Sequence, residues 1–312
     1  MKKNTKKIVT AAGIAAGTAA VASLYAYVTI KALIDTALDR EMPKVMEKAD
    51  KRISGEKSSD EFTNRMESAS ESLAVQPNET VEIIAHDGEK LVGHYFPCEK
   101  PERVIIAFHG WRSSWHRDFG MISDFWYKNN CSVLYVEQRG QNNSSGEYMG
   151  FGLTERFDCL DWLNWEIERC GSDIPVYLAG VSMGATTVLM AAGLQLPPNV
   201  HGIMADCGFT SANAIWEHIA KDNLHIRFGI RSAIADRMCR RKIQVGSKEH
   251  STVEALKHTH VPVILVHGAD DHFVPVEMTY ENYTACTAPK DLLIVPGADH
   301  GNRLAVEQGD AA

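Results

Sequence analysis

The sequence lacks the short motifs by which many phosphate and metal sites are recognised. Its 312 residues contain no Gly-x-x-x-x-Gly-Lys-Ser/Thr loop, no His-Glu-x-x-His motif and no EF-hand loop. The seven cysteines are scattered, odd in number and never spaced as Cys-x-x-Cys, which fits neither a zinc site nor a disulfide framework. We therefore expect no metal and no cofactor, and we expect most cysteines to be small apolar side chains of the core.

Basic residues are in deficit over most of the chain. The formal net charge is −8, and residues 1–40 carry six basic and two acidic side chains, so the remainder is strongly acidic. This balance argues against nucleic acid or anionic lipid as the main partner of the globular part. Nothing in the sequence indicates an obligate protein partner. The length and the 45% hydrophobic content suffice for one large domain with an appendage.

The amino-terminal segment differs from the rest. Four lysines among the first seven residues precede an uncharged run over 8–30, which Lys31 ends. As a helix this run would extend about 35 Å, enough to span a bilayer. Residues 1–34 are thus predicted to be a cytoplasmic tail and a single transmembrane helix, with the remainder outside the cytoplasm. Two alternatives stay open: a signal peptide cleaved near Ala22, giving a secreted protein, and a soluble hairpin or interfacial helix.

Residues 35–79 are rich in Lys, Glu, Ser and Asp. Their apolar positions recur at helical spacing up to Gly55, where a helix is expected to end. We predict a helical stalk or linker here; a helix that binds a partner is the alternative.

From residue 80 onward, strand patterns alternate with helical patterns. The first two, 81–84 and 91–96, flank Asp87-Gly88 and predict a β-hairpin. Short apolar runs that predict further strands follow at 104–108, 133–136, 176–179, 202–205, 261–266 and 292–295. This alternation indicates an α/β domain over 80–312 with a mostly parallel sheet covered by helices on both faces. Chemistry in such sheets gathers at the carboxyl ends of the strands.

The interval 209–260 has no strand pattern. It contains two helical patterns, 212–220 and 226–239, and is predicted to form a small helical cap over the site. A basic cluster at 237–242 is expected to be a solvated helix end.

Gly180-Val181-Ser182-Met183-Gly184 stands between a predicted strand and a helix-forming run. Gly-x-Ser-x-Gly in that setting is the nucleophile elbow, a turn so tight that the two outer positions must lack side chains. The serine is left exposed at the edge of the sheet, which predicts Ser182 as a nucleophile.

A serine nucleophile needs a base, and the base needs an acid that orients it. Two further strand ends supply these residue types. Asp270 and Asp271 follow the run 261–266, and His300 follows 292–295. Serine, aspartate and histidine then occur in the chain order of α/β-hydrolases. Both aspartates are candidates for the acid at this point, and Asp206 is a remoter one.

The negative charge of a tetrahedral intermediate requires two backbone N–H donors. One is predicted at Met183, directly after the nucleophile. The other is predicted at Trp111, because the loop after 104–108 begins His109-Gly110-Trp111 and the glycine lets the backbone bend close. His109 itself is expected to be packed at the strand end.

Five motifs between Val81 and His300 carry a resemblance to a known family. They are Phe108-His109-Gly110-Trp111, Glu137-Gln138-Arg139-Gly140, the elbow, Asp206-Cys207-Gly208 and His267-Gly268-x-x-Asp271-x-x-Val274-Pro275. With them the chain resembles bacterial, Firmicutes-type membrane-tethered α/β-hydrolases, including prolyl-oligopeptidase-like and BEM46-like enzymes. The resemblance implies the α/β-hydrolase fold and places the triad acid at Asp271.

Two departures from that family pattern have consequences. Relatives often carry Asp-x-Arg-Gly-His-Gly-x-Ser where this chain has Glu137-Gln138-Arg139-Gly140-Gln141-Asn142-Asn143-Ser144. Glu137 is expected to pair with Arg139 beneath this loop, so activity should survive. Only twelve residues follow His300, so an uncovered flank of the sheet is expected.

Together these features predict a serine hydrolase that cleaves a carboxylic ester of a small-molecule acyl substrate. Ser182, His300 and Asp271 would form the triad, with Trp111 and Met183 as the oxyanion hole. A peptidase acting on short peptides is the alternative enzyme, and a non-catalytic, membrane-tethered pseudo-hydrolase is the alternative of another class. Trp115 and Phe151, in predicted loops, are candidates for the acyl pocket.

Overall fold

The structure, a computed structural model, describes residues 21, 23–42, 60–229 and 231–300. Most of the predicted transmembrane run, the stalk positions over 43–59 and the stretch 301–312 lie outside these described residues. Within them, no helix is both long enough and apolar enough to cross a membrane.

Eight strands form one mixed sheet in the order β1-β2-β4-β3-β5-β6-β7-β8. The first two pair antiparallel with each other, β2 pairs antiparallel with β4, and the remaining pairs are parallel. The predicted hairpin and the six further predicted strands are therefore confirmed, with ends that shift by at most two residues. The strands are β1 Glu79–Ile84, β2 Lys90–Phe96, β3 Arg103–Phe108, β4 Cys131–Glu137, β5 Val176–Val181, β6 Val200–Asp206, β7 Val263–Gly268 and β8 Lys290–Val295.

The central strands are apolar on both faces because helices cover both. In β3, Ile106 and Phe108 belong to the larger core cluster, whereas Ile105 and Ala107 belong to a separate cluster on the opposite face. Side chains of a strand alternate between faces, so a run without polar positions fits a sheet that is buried on both sides.

The described residues contain nine α-helices. Three of them lie in the predicted cap interval between β6 and β7. The helices are α1 23–38, α2 Asp60–Ala74, α3 Trp115–Lys128, α4 Glu155–Cys170, α5 Met183–Ala191, α6 Ala212–His218, α7 Arg231–Ile243, α8 Thr252–Leu256 and α9 Val276–Ala285.

The cap helices differ in detail from the predicted ones. Ser211 caps α6 by accepting a hydrogen bond from the Ala214 N–H at 3.1 Å. The pattern 212–220 continues beyond α6 as a π-helical turn, Ile219–Asn223. The pattern 226–239 is displaced towards the carboxyl end, because α7 begins only at Arg231.

Part of the predicted stalk packs on the domain. Helix α2 crosses α3 so closely that a Cβ at Gly120 would lie 2.8 Å from backbone atoms of Ala69 and Ser70. Leu73 of α2 is fully buried in the cluster of that face. The folded unit therefore includes residues 60–74, which the sequence assigns to the linker.

The expected ion pair between Glu137 and Arg139 is wrong. The Arg139 guanidinium donates to both carboxylate oxygens of Asp158 on α4 and to Asp87 in the β1–β2 turn. Glu137 faces β2 and lies 2.8 Å from His94 Nε2. The chain turns after β4, so the two side chains reach different neighbours.

Candidate active site

The predicted elbow is present between β5 and α5. Ser182 has φ 53° and ψ −113°, a region that residues with a side chain seldom occupy. A Cβ at Gly180 would lie 2.3 Å from the Gly184 carbonyl, and one at Gly184 would lie 1.9 Å from the Phe108 oxygen. Neither position tolerates a side chain, so the backbone can hold the serine in this strained turn.

Ser182 lies where three strand ends meet. Its backbone N–H donates to the Asp206 carbonyl at the end of β6, at 2.8 Å. The loop after β3 passes on the other side, where a Cβ at Gly110 would lie 3.4 Å from the Ser182 Cβ. The side chain itself lines a cavity.

Asp271 and His300 are joined by a hydrogen bond beyond the ends of β7 and β8. His300 Nδ1 lies 2.7 Å from Asp271 Oδ2, and since a carboxylate only accepts, Nδ1 carries the proton. The other carboxylate oxygen, Oδ1, accepts from the backbone N–H of Phe273 at 2.9 Å and of Val274 at 2.8 Å. Both oxygens are therefore fixed in place.

The neighbouring candidate, Asp270, is exposed and takes no part in this contact. The buried imidazole of His267, in contrast, has its Nε2 3.3 Å from Asp271 Oδ2. Burial raises the pKa of Asp271, but His300 and His267 outweigh it and lower that pKa below its usual value. The sequence included His267 in a motif without assigning it a role; its contact with Asp271 makes it a candidate positioning residue.

His300 also interacts with the side chain of Cys207, for which the sequence predicted no role. Cys207 directly follows β6, whose last residue, Asp206, pairs with Val181, the residue before Ser182. Burial lowers the pKa of His300, whereas Cys207 and Asp271 raise it, and the net pKa lies well above the usual value. The one earlier signal for Cys207 was its place in the Asp206-Cys207-Gly208 motif.

Within the described residues no hydrogen bond joins the Ser182 hydroxyl to His300. Phe273 lies between them: it lines the cavity together with Ser182, and its ring centroid lies 5.1 Å from that of His300. Catalytic hydrogen bonds are often long before substrate binds.

The side chains beyond the ends of β6, β7 and β8 also have the donor set of a metal site. Cys207, Asp271 and His300 each offer a ligand atom within 4.8 Å of the others. Sulfur, oxygen and nitrogen ligands suit zinc. An ion bound there would occupy both the acid and the base of the predicted triad.

The cavity in front of Ser182 is apolar. It encloses about 580 Å³, part of it open to solvent, and no charged side chain lines it. Phe151 lies in its wall as predicted, whereas Trp115 does not, because it packs with Tyr135 in the separate core cluster that contains Ile105 and Ala107. The lining residues are Leu33, Thr36, Ala37, Trp111, Phe151, Ser182, Phe209, Ile215, Trp216, Ile219 and Phe273.

Both predicted oxyanion donors flank Ser182. Met183 is the first residue of α5, so its N–H has no partner inside the helix. In the other loop, Asp118 accepts from the Gly110 N–H at 2.6 Å, which holds the backbone beside Trp111. The backbone N–H of Trp111 makes no backbone hydrogen bond to another described residue. His109 is fully buried beneath this loop, as expected.

Comparison with known proteins identifies the fold. No family model matches the chain. YqkD of Bacillus subtilis, an uncharacterised protein, is 24% identical over 212 residues, which cover 66% of this chain and 67% of YqkD. YfhR of Escherichia coli strain K12, also uncharacterised, is 23% identical over 241 residues, which cover 74% of this chain and 76% of YfhR.

Solved structures share the architecture at lower identity. An esterase of Pyrococcus furiosus superimposes with a TM-score of 0.62 and 19% identity, over 77% of this chain and 89% of the esterase. Est1E of Butyrivibrio proteoclasticus, solved with ferulic acid bound, gives a TM-score of 0.58 and 18% identity, over 73% and 94% of the two chains. The α/β hydrolase GrgF of a Penicillium species gives 0.55 and 18%, over 75% and 94%. The chain therefore has the α/β-hydrolase fold.

Proposed function

We propose that the protein is a serine hydrolase that cleaves carboxylic esters through an acyl-enzyme. The observation that carries this proposal is the position of Ser182, held in a strained turn on the wall of an apolar cavity, with a hydrogen-bonded histidine and aspartate at the neighbouring strand ends. The esterase names among the structural neighbours support the choice of bond.

In the proposed reaction Ser182 Oγ attacks the carbonyl carbon of the ester while His300 Nε2 takes the hydroxyl proton. Asp271 holds the opposite nitrogen, Nδ1, as a donor and stabilises the imidazolium. The backbone N–H groups of Trp111 and Met183 bind the oxyanion. When the intermediate collapses, His300 returns the proton to the leaving alkoxide.

A water molecule then completes the cycle. His300 takes a proton from this water, and the resulting hydroxide attacks the acyl carbon. Collapse of the second tetrahedral intermediate breaks the bond to Ser182 Oγ, which regains its proton from His300. The products are an alcohol and a carboxylic acid, and no cofactor is required.

We also propose a location at a membrane. The uncharged run over 8–30 and the lysines before it are proposed to hold the protein on a membrane, with the hydrolase domain outside the cytoplasm. A small-molecule acyl ester is the proposed substrate class.

The test is turnover of 4-methylumbelliferyl acetate by the purified full chain and by Ser182→Ala. We expect the variant to lose activity by at least a thousandfold and to lose labelling by a fluorophosphonate probe. Unchanged turnover in Ser182→Ala would refute the nucleophile. A wild-type protein that neither turns over the ester nor reacts with the probe would identify an inert scaffold instead.

A further inference from the structure

Helix α1 consists of two halves with different surroundings. From residue 30 onward its apolar side chains are buried in the core cluster of the cap, among them Ile30 and Ile34. Before residue 30 its apolar side chains are exposed: Leu24 by 64% and Val28 by 54%. One continuous helix thus enters the domain at one end and projects from it at the other.

The buried half forms one wall of the cavity at Ser182. Leu33, Thr36 and Ala37 all line it. These residues belong to the segment that the sequence assigns to the membrane anchor and the linker, so the acyl pocket is incomplete without a part of the chain far from the elbow.

The end of α1 is hydrogen-bonded to the loop that carries the proposed oxyanion donor Trp111. The Trp111 indole Nε1 donates to the Ala37 carbonyl at 3.0 Å. The Arg112 guanidinium donates to the carbonyls of Thr36 at 3.0 Å and Arg40 at 2.9 Å. The last carbonyls of a helix have no partner inside it, and here this loop supplies donors for them.

The cap makes a second set of contacts with the end of α1. Lys242, in the basic cluster at the end of α7, lies 3.2 Å from the Asp35 carboxylate and also bonds Asp39. This part of the cluster is therefore not the solvated helix end that the sequence predicts. Cap and oxyanion loop together hold α1 against the cavity.

The projecting half carries several large apolar side chains and no charged residue. The side chains of Val21, Leu24, Tyr25, Tyr27 and Val28 are exposed. The sequence before them carries no charge back to residue 8. An uncharged helical segment with this many exposed large apolar side chains is suited to lipid rather than to water.

We propose that the projecting half of α1 inserts into a lipid bilayer and that the cavity takes fatty acyl esters directly from that bilayer. At a rise of 1.5 Å per residue, Leu33 in the cavity wall lies only about 8 Å along the axis from Val28 and about 14 Å from Leu24. An acyl chain therefore has a short path from the membrane to Ser182.

The cavity has the chemistry that such a chain requires. Nine of its eleven lining residues are apolar, and none is charged, so a charged substrate group would find no partner there. The inference rests on the proposed esterase activity and adds the substrate class and the side from which it enters.

The experiment uses two substrates with the same leaving group. The full chain is reconstituted in phosphatidylcholine vesicles and assayed with 4-methylumbelliferyl acetate in solution and with 4-methylumbelliferyl oleate in the vesicle membrane. The test variant is the double substitution Leu24→Asp and Val28→Asp, at positions outside the cavity. The matched control is Val75→Asp, an exposed apolar residue at 82% on another surface.

We expect the double variant to lose at least tenfold in oleate turnover while acetate turnover stays within twofold of wild type, and Val75→Asp to change neither. Retained acetate turnover also shows that the variant is folded. Equal oleate turnover in wild type and double variant would overturn the membrane route and leave the esterase proposal intact. No Ser182-dependent turnover of acetate by the wild type would overturn the esterase proposal itself.

Discussion

The substitution Asp271→Asn tests the proposed triad at its most constrained group. Asp271 Oδ1 accepts two backbone N–H groups, from Phe273 and Val274. An asparagine at this position must keep its carbonyl oxygen there, because its NH₂ group cannot accept. The NH₂ group then faces His300 Nδ1, where the carboxylate oxygen lies at 2.7 Å.

The consequence is a reversed tautomer of His300. With an N–H donor opposite, Nδ1 must become the acceptor, and the single proton of the neutral ring moves to Nε2. A protonated Nε2 cannot take the proton of Ser182. The same change in a serine protease lowers kcat by about 10⁴-fold, which corresponds to about 5 kcal/mol in the activation free energy.

The assay is the steady-state turnover of 4-methylumbelliferyl acetate at constant pH. We expect kcat to fall by about 10⁴-fold, with a thermal transition showing that the variant is folded. The matched control is Asp270→Asn, one residue away and exposed, which should leave kcat within about threefold. A folded Asp271→Asn protein with kcat within tenfold of wild type would refute the role of Asp271.

Three further results are expected. The substitution Cys207→Ala should move the rising limb of kcat/KM to lower pH, because Cys207 raises the pKa of His300 and the base must be neutral; an unmoved limb contradicts this contribution. In urea denaturation Arg139→Met should lower the free energy of unfolding by about 3–5 kcal/mol, since it leaves the buried Asp158 carboxylate unpaired. The control Arg103→Met, whose partner Glu102 is largely exposed, should cost much less. Gly184→Ala should abolish fluorophosphonate labelling, as its Cβ would lie 1.9 Å from the Phe108 oxygen; a labelled variant would show that the elbow can relax.

The strands and the elbow could be predicted from the sequence because their signals are local. A run such as 104–108 has no polar position, and only a strand buried on both faces suits so short an apolar segment. The glycines at 180 and 184 are likewise a local signal, because a Cβ at either position would lie less than 3 Å from backbone atoms. The carboxyl ends of parallel strands lie at one edge of the sheet. Residues that follow different strands were therefore expected to lie close together at that edge, although they are far apart in sequence.

Side-chain pairing beyond the strands was harder to predict. Glu137 and Arg139 lie two positions apart, and an ion pair between them is the simplest interpretation of the sequence. The turn after β4 instead directs Arg139 towards Asp158, nineteen positions later. The place of Trp115 in the core and the contact between Cys207 and His300 have the same origin, because each depends on which strands are neighbours in the sheet.

Helix α1 shows that one hydrophobic run can belong both to a membrane-associated segment and to a protein core. Apolar residues that suit a lipid environment equally suit a protein core, and composition does not separate the two. What separates them is the position along the helix at which neighbouring side chains begin to cover it, here at residue 30. The charged residues Asp35 and Asp39 follow that point and pair with Lys242, so the segment 30–40 has contacts that only a folded cap provides. A membrane anchor that ended before the domain would require none of these contacts, and their presence ties the proposed anchor to the geometry of the site.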